Sequence, residues 1–286
     1  MRLAVRVPAT AANLGPGFDA LALALAIENE VVAETEAAPA VEVEGEGAEE
    51  LPRDASNLIF RSMAFLAREA GGALPPMRLV SRNRIPLERG LGSSAAAVVA
   101  GLLLADRLLG TELGPDRLLE VAVDLEGHPD NAAAALRGGL VVAYLSREGW
   151  RAERMDPHPD LRPTVLIPQD ERVPTQDARR VLPLEVPLRD AAFNLGRAAL
   201  ALHAFTRAPE LLGEALADRL HQARRLELAP KARALFEELR AEGIPVCVAG
   251  SGPTILAFGL GDRELGPGWR RERPSVSGGA TVEEGD

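Results

Sequence analysis

The chain has 286 residues, 47% of them hydrophobic and 26% charged, with a net charge of −10. That balance is globular and excludes disordered and collagen-like chains, while the acidic surplus argues against a nucleic-acid or anionic-membrane surface, whose affinity needs clustered Lys and Arg. A chain this long buries about three quarters of its unfolded surface, so one large or two small domains need no metal or disulfide staple, and the single cysteine, Cys247, fits a reducing compartment.

In chain order, Leu3–Val7 alternates apolar residues with charge and predicts a strand. Ala20–Ile27 and Glu30–Glu36 predict two more. Ala37–Asp54 is acidic, carries Pro39, Gly45, Gly47 and Pro52, and reads as an edge strand plus loop. Ser56 is placed to cap a helix through Ala70, closed by Gly71 and Gly72. Met77–Ser81 predicts a strand. Ser93–Leu109 is the clearest helix, with serine at its cap and Gly110 at its stop; Asp116–Leu125 is another, ended at Gly127. Leu140–Leu145 predicts a strand. Gly149–Pro163 holds three prolines and no periodicity, which sets a boundary between domains over 1–150 and 160–286.

After the boundary come a strand at Thr164–Ile167, helices near Ala191–Phe205, Pro209–Arg224 and Pro230–Ala241, and strands at Val246–Ala249 and Ile255–Phe258. Prolines and tight turns break the rhythm of a doubly wound sheet, so the expected class is α+β, two domains each layering helices on a sheet. The tail after Gly261 is rich in Gly, Pro, Arg and Glu and is expected to pack loosely. Pro8 interrupts the start before a signal-peptide core could form. The longest apolar stretches, Ala20–Ile27 and Ala95–Ala105, fall short of the ~20 residues of a membrane span. A cytoplasmic protein that engages neither membrane nor nucleic acid is expected.

The only lysine, Lys231, lies in APKA with no glycine-rich loop before it, which excludes both a Walker A loop and a protein kinase. A lysine-free phosphate site is still possible in RIPLERGLGSSAAA, Arg84–Ala97. Gly90 and Gly92 let backbone N–H groups approach a ligand, Ser93 and Ser94 add hydroxyls, and the helix that follows turns its positive end to the same spot. A capped helix after a turn accounts for the same residues. The loop also fits a dinucleotide fingerprint, Gly90, Gly92 and Ala95, although Pro86, Glu88 and Arg89 interrupt the strand such a loop should follow.

Three further stretches are candidates. Pro8–Asp19, PATAANLGPGFD, holds Asn13 and Asp19 on a proline- and glycine-rich turn. Glu126–Gly139 crowds Glu126, His128, Asp130 and Asn131 before a helix; Glu126 suits Mg²⁺, which takes one or two carboxylates plus phosphate oxygens, and helix capping by Asp130 or Asn131 is the plain alternative. Val248–Thr254, VAGSGPT, is a second glycine-serine turn. Arg179-Arg180 and Arg224-Arg225 could fork onto a carboxylate or phosphate, although most arginine pairs are simply solvated. His203 and His221 lack metal-ligand spacing, and Cys247 reads as core.

Together these stretches resemble the GHMP small-molecule kinases, within them the branch that phosphorylates homoserine, over residues 3–260. PATAANLGPGFD is similar to that branch's N-terminal signature, with Ala11 where serine is usual. IPLERGLGSSAAA is similar to the GHMP phosphate loop, with Glu88 where glycine is usual. EGHPDN, ARRVLP, LHQARRLELAP and AGSGPT follow in the branch's order, with Ala223-Arg224 where Pro-Tyr is common. The resemblance implies an active site between the two domains and ATP and Mg²⁺ as cofactors. It implies that Asn57, Pro86, Gly90, Leu91, Gly92, Ser93 and Ser94 bind ATP, with Ser94 and Glu126 on the metal. Asn13, Asp19, His128, Asp130, Arg179 and Arg225 would hold L-homoserine, with Gly250, Ser251 and Gly252 closing over it. Asn131 stands where many relatives carry an aspartate base, so positioning and charge neutralisation would carry the rate. Another GHMP kinase activity, or a catalytically silent nucleotide-binding regulator, remains open from the residues alone. A homodimer is the expected assembly.

Overall fold

A computed structural model describes residues 1–285. The alternation at Leu3–Val7 belongs to a longer strand, β1 (Arg2–Ala12), paired antiparallel with β2 (Leu21–Glu34). The two strands expected over 20–27 and 30–36 are therefore one. The register slips between Pro8, opposite Glu28, and Ala9, opposite Leu25, leaving Ala26 and Ile27 without ladder partners. Pro8 has no N–H to give the ladder, and a bulge there absorbs the gap. The Ala26 amide donates instead to the Ser275 carbonyl at 2.9 Å.

Strand β3 (Ala40–Gly45) runs parallel to β4 (Arg78–Asn83), and helix α1 (Leu58–Glu69) connects them. Its cap is Asn57, not Ser56. The Asn57 side chain accepts from the Ile59 amide at 3.0 Å, while the amide and hydroxyl of Ser56 are both bound by Asp54. Helix α2 (Ser93–Leu109) has the expected limits but a different start: Gly92, at φ 71°, occupies the cap position and no side chain caps the helix. Helices α3 (Pro115–Glu126) and α4 (Asp130–Arg137) pack beside it. The hairpin of β5 (Leu140–Ser146) and β6 (Gly149–Met155) completes this half. Because β6 pairs with β5 along its whole length, the boundary expected across 149–163 contracts to the residues after Met155. Alternating charge on this edge strand hid it: Ala152 is buried between Arg151, which is ion-paired with Asp116 and Glu120, and the exposed Glu153.

The second half carries β7 (Pro163–Pro168), α5 (Thr175–Arg180) and α6 (Leu188–Thr206). A short 3-10 turn (Pro209–Leu211) leads into α7 (Leu212–Ala215), then α8 (Gln222–Leu226) and α9 (Pro230–Ala241). The single helix expected over 209–224 is thus broken. The Asp218 carboxylate accepts from the Leu220, His221 and Gln222 amides at 3.0, 2.9 and 2.8 Å, which stops one helix and starts the next. Strands β8 (Val246–Val248), β9 (Ile255–Phe258) and β10 (Trp269–Glu272) join β7 in an antiparallel sheet ordered β10-β7-β9-β8.

The tail does not pack loosely. After β10 it returns to the first sheet, where β11 (Thr281–Gly285) pairs antiparallel with β1. Strand β11 and most of β6 thus belong to the first sheet although they lie outside the expected range 1–150, β11 falling within 160–286. This sheet runs β11-β1-β2-β4-β3, with β5 and β6 branching from β2.

Alternation along β7 divides the core between the layers. Val165 and Ile167 join a large cluster with β1, β2, α2 and α4, whereas Leu166 faces a smaller one with Leu226, Phe236, Leu239 and Ile255. Among the described residues no helix is long and apolar enough to cross a membrane.

Candidate active site

A cleft of about 800 Å³ runs between the two halves, and its walls come from the stretches singled out above. One end is built on the turn before α2. A Cβ on Gly92 would stand 2.0 Å from Thr10 Oγ1, and one on Gly90 would stand 2.2 Å from the Ala249 carbonyl oxygen. Both residues also have positive φ. Only glycine fits either place. With no side chain capping α2, its first-turn amides have no intrahelical acceptor and carry the helix's positive end. Gly90, Leu91, Gly92, Ser93 and Ser94 all line this end of the cleft, as do Pro86 and Asn57. The Asn57 amide is itself committed, accepting from Ile59 and donating to the Pro52 carbonyl at 2.8 Å, so it shapes the wall from a fixed position.

Glu88 and Arg89 part company. Glu88 is exposed at the cleft with φ 52°, a left-handed backbone where glycine costs less. Arg89 is buried and makes no ion pair with it. Its guanidinium turns to the second domain and donates to the carbonyls of Pro168 and Gln169, each at 2.9 Å. The phosphate-loop candidate is thereby stapled to the end of β7.

In the middle of the cleft Ser94 Oγ donates to Glu126 Oε1 at 2.6 Å. This places two hard oxygen donors side by side at the head of α2, a set that suits Mg²⁺ with phosphate oxygens completing the shell. Asp130 is buried at the start of α4 and collects three contacts on Oδ1. The Asn131 amide donates to it at 2.7 Å, Asn131 Nδ2 lies at 3.4 Å, and His128 Nδ1 lies at 3.1 Å. Burial opposes charge on the His128 ring, but Asp130 and, less closely, Glu126 outweigh it and hold the ring above the usual histidine range. Asn131 Oδ1 accepts from Thr10 Oγ1 at 2.7 Å.

The far end gathers charge. Asp19, at φ 53°, receives Arg179 Nη2 at 2.9 Å and Nη1 at 3.2 Å, a fork across the domains. Arg225 is 4% exposed, donates to the Gly250 carbonyl at 2.6 Å and lies over the Phe18 ring; its Nε has no partner. Burial pushes the guanidinium down to about 10, a pull that Asp19 resists and Arg179 reinforces. His221 sits behind it: Nε2–H donates to the Gly15 carbonyl at 2.7 Å, and Nδ1 accepts from Arg225 Nη1 at 3.3 Å. Burial pushes this ring down to about 4, so it is neutral. Asn13 is buried and used internally, donating to the Gly250 carbonyl and accepting from the Asp19 amide.

The cleft therefore brings together every expected site residue except Gly252, which packs behind Gly90 while Gly250 and Ser251 line the wall. Arg180 and Arg224 face solvent, paired with Asp177 and Glu227. Sequence reasoning missed Thr10, Thr175 and His221. Thr10 lay inside a stretch already singled out, but nothing local distinguishes a strand hydroxyl. Thr175 opens α5, which no periodicity announced. Among the described residues no group of three or more His, Cys, Asp and Glu side chains is disposed to hold a metal by itself. The Ser94–Glu126 pair would need the nucleotide to complete a shell.

Comparison with known proteins gives a consistent family. The model of the GHMP kinases N terminal domain matches residues 57–139, and that of the GHMP kinases C terminal domain matches residues 197–265. The chain is 45% identical over 291 aligned positions to a homoserine kinase of Streptomyces avermitilis, covering 97% of this chain and 94% of that one. It is 47% identical to a homoserine kinase of Streptomyces coelicolor, over 90% of this chain and 84% of the other. The crystal structure of homoserine kinase from Cytophaga hutchinsonii superposes with a TM-score of 0.83 at 25% identity, covering 99% and 97% of the two chains.

Proposed function

The chain belongs to the GHMP kinase family, and from that premise we infer that it is a homoserine kinase, an ATP-dependent phosphotransferase. It moves the γ-phosphoryl group of ATP to the hydroxyl of L-homoserine, giving O-phospho-L-homoserine for threonine synthesis. The observation that carries the substrate assignment is the far end of the cleft, where the Asp19–Arg179 fork stands beside the incompletely paired Arg225. A zwitterion matches that set. Its ammonium takes Asp19, and its carboxylate takes Arg179 and Arg225, replacing the fork with two new charge-assisted contacts.

The uncapped start of α2 and the Gly90–Ser94 backbone cradle the triphosphate. Ser94 and Glu126 are the residues that would hold Mg²⁺, whose charge offsets that of the phosphates. His128 and Asp130 are fixed beside Asn131 and line the path between the two ends. In the transfer the homoserine hydroxyl oxygen bonds to the γ-phosphorus as the bond to the bridging oxygen breaks and ADP leaves. Asn131 cannot take a proton as aspartate does, so the hydroxyl proton passes to the transferred phosphoryl group. A loose transition state tolerates this, since it asks little of a base.

The test is ADP release from MgATP over a panel of alcohols. Homoserine should be used, whereas 4-hydroxybutyrate, mevalonate and a diphosphocytidyl alcohol should not. Turnover of mevalonate in preference to homoserine would overturn the substrate assignment, and silence toward every alcohol would favour a regulator. Cytoplasmic placement and a homodimer complete the reading. The dimer is supported by Leu184, Leu188 and Leu195, exposed together around the start of α6, and sedimentation of Leu188→Asp against wild type tests it.

A further inference from the structure

We propose that Thr10 is a positioning residue for Asn131 and through it sets the rate of phosphoryl transfer; the inference rests on the kinase reading above. An asparagine amide has an acceptor end and a donor end, and only one orientation fits here. If Oδ1 faced Asp130, two acceptors would oppose each other at the 3.4 Å now spanned by Nδ2. Nδ2 therefore faces the carboxylate, and Oδ1 faces Thr10, whose hydroxyl donates to it at 2.7 Å. Thr10 is fully buried, and its own amide donates to the Leu91 carbonyl at 3.0 Å. The strand that carries the hydroxyl is thus tied to the phosphate loop. The missing Cβ at Gly92 leaves the space for the contact, since a Cβ there would stand 2.0 Å from the hydroxyl and 3.1 Å from Asn131 Oδ1.

The consequence is chemical. With its oxygen held by Thr10, Asn131 offers its remaining N–H to the reacting oxygens as a donor. Without the hydroxyl, the amide loses one of its two anchors and can rotate away from the line of attack. Misplacement on the scale of an ångström at a reacting centre costs about 100-fold.

Thr10→Val removes the hydroxyl at nearly constant volume and Thr10→Ser keeps it. Thr10→Val should lower kcat roughly 10- to 100-fold with both KM values little changed, and Thr10→Ser should restore most of the rate. In a double-mutant cycle, Thr10→Val on top of Asn131→Ala should cost almost nothing more, because a residue acting through Asn131 has nothing left to position. Should Thr10→Val not fold, Thr10→Ala, which also removes the donor, serves the same cycle. Near-wild-type kcat in the variant, or fully additive losses in the double variant, would overturn the proposal and leave the kinase reading intact. Wild-type enzyme silent toward homoserine and MgATP would overturn both.

Discussion

The phosphate end of the cleft relies on backbone: two glycines in positive φ, an uncapped helix start, two serine hydroxyls, and an arginine that turns away to staple the loop. The amino-acid end is the reverse, with Asp19, Arg179, Arg225 and His221 packed into one partly dry corner. The first end recognises shape and negative charge chiefly through backbone and hydroxyl groups. The second recognises a pair of opposite charges and holds buried charge before the ligand arrives. Steric change should damage one end and charge removal the other, and pH should act with opposite sign on His221 at the second end and on His128 between the two.

The largest effect is expected from Gly92→Ala. A left-handed alanine plus the collision with Thr10 costs about 2–5 kcal/mol, which should appear as a lower Tm and lost ATP binding by calorimetry. Unchanged ATP affinity would mean the loop is not held by its backbone. Next come the arginines. Arg225→Ala and Arg179→Ala each remove a charge-assisted contact of ~1.5–3 kcal/mol, roughly a 10- to 150-fold loss of homoserine affinity. The buried Arg225 should fall at the upper end and the half-exposed Arg179 at the lower. ATP binding should barely move, and Arg180→Ala and Arg224→Ala should be near neutral. If these two outer arginines are the sensitive pair, the clamp is misassigned.

The third test uses pH on the two histidines, His221 and His128. His221 is lowered by burial from the ordinary 6.5 to about 4. Its unfolded form takes the proton first, so its contribution to stability is complete above about 6.5 and is lost as pH falls toward 4. His128 is raised, so its contribution is complete below the ordinary value and is lost as pH rises through the raised one. Urea unfolding of His221→Gln should therefore show a flatter loss between pH 6.5 and 4 than wild type, and His128→Gln a flatter loss on the alkaline side. Identical slopes in wild type and His221→Gln would refute the neutral buried ring. The smallest effect is Glu88→Gly. Relief of the positive φ opposes the entropy glycine gains when unfolded, leaving about 0–1 kcal/mol, with ATP affinity equal or slightly higher by calorimetry. A large loss would show that Glu88 contacts the nucleotide.

Much of the site was legible because its parts are local. The glycine-serine turn, the acid and amide at the start of α4 and the two arginine pairs each announce themselves within a dozen residues. The strand misreadings share a cause: β2 reads as two strands because the bulge opposite Pro8 interrupts its alternation, and β6 is an edge strand with charge on both faces. The tail's composition resembles a loose end, yet β11 needs only one free sheet edge, which β1 supplies from the other end of the chain.

By itself the sequence determined that phosphate must be held without lysine, since the one lysine is remote from every candidate loop, and that a carboxylate-binding fork could come only from arginine. Residue spacing alone could not say which arginine of each pair turns inward; the family resemblance pointed to Arg179 and Arg225, and packing against Phe18, Gly250 and Asp19 is what turns those two inward. Nor could spacing show that Arg89 leaves the phosphate end or that Thr10 reaches Asn131, 121 residues away. Desolvation and donor geometry depend on partners distant in the chain, so those roles arise only in the folded tertiary structure.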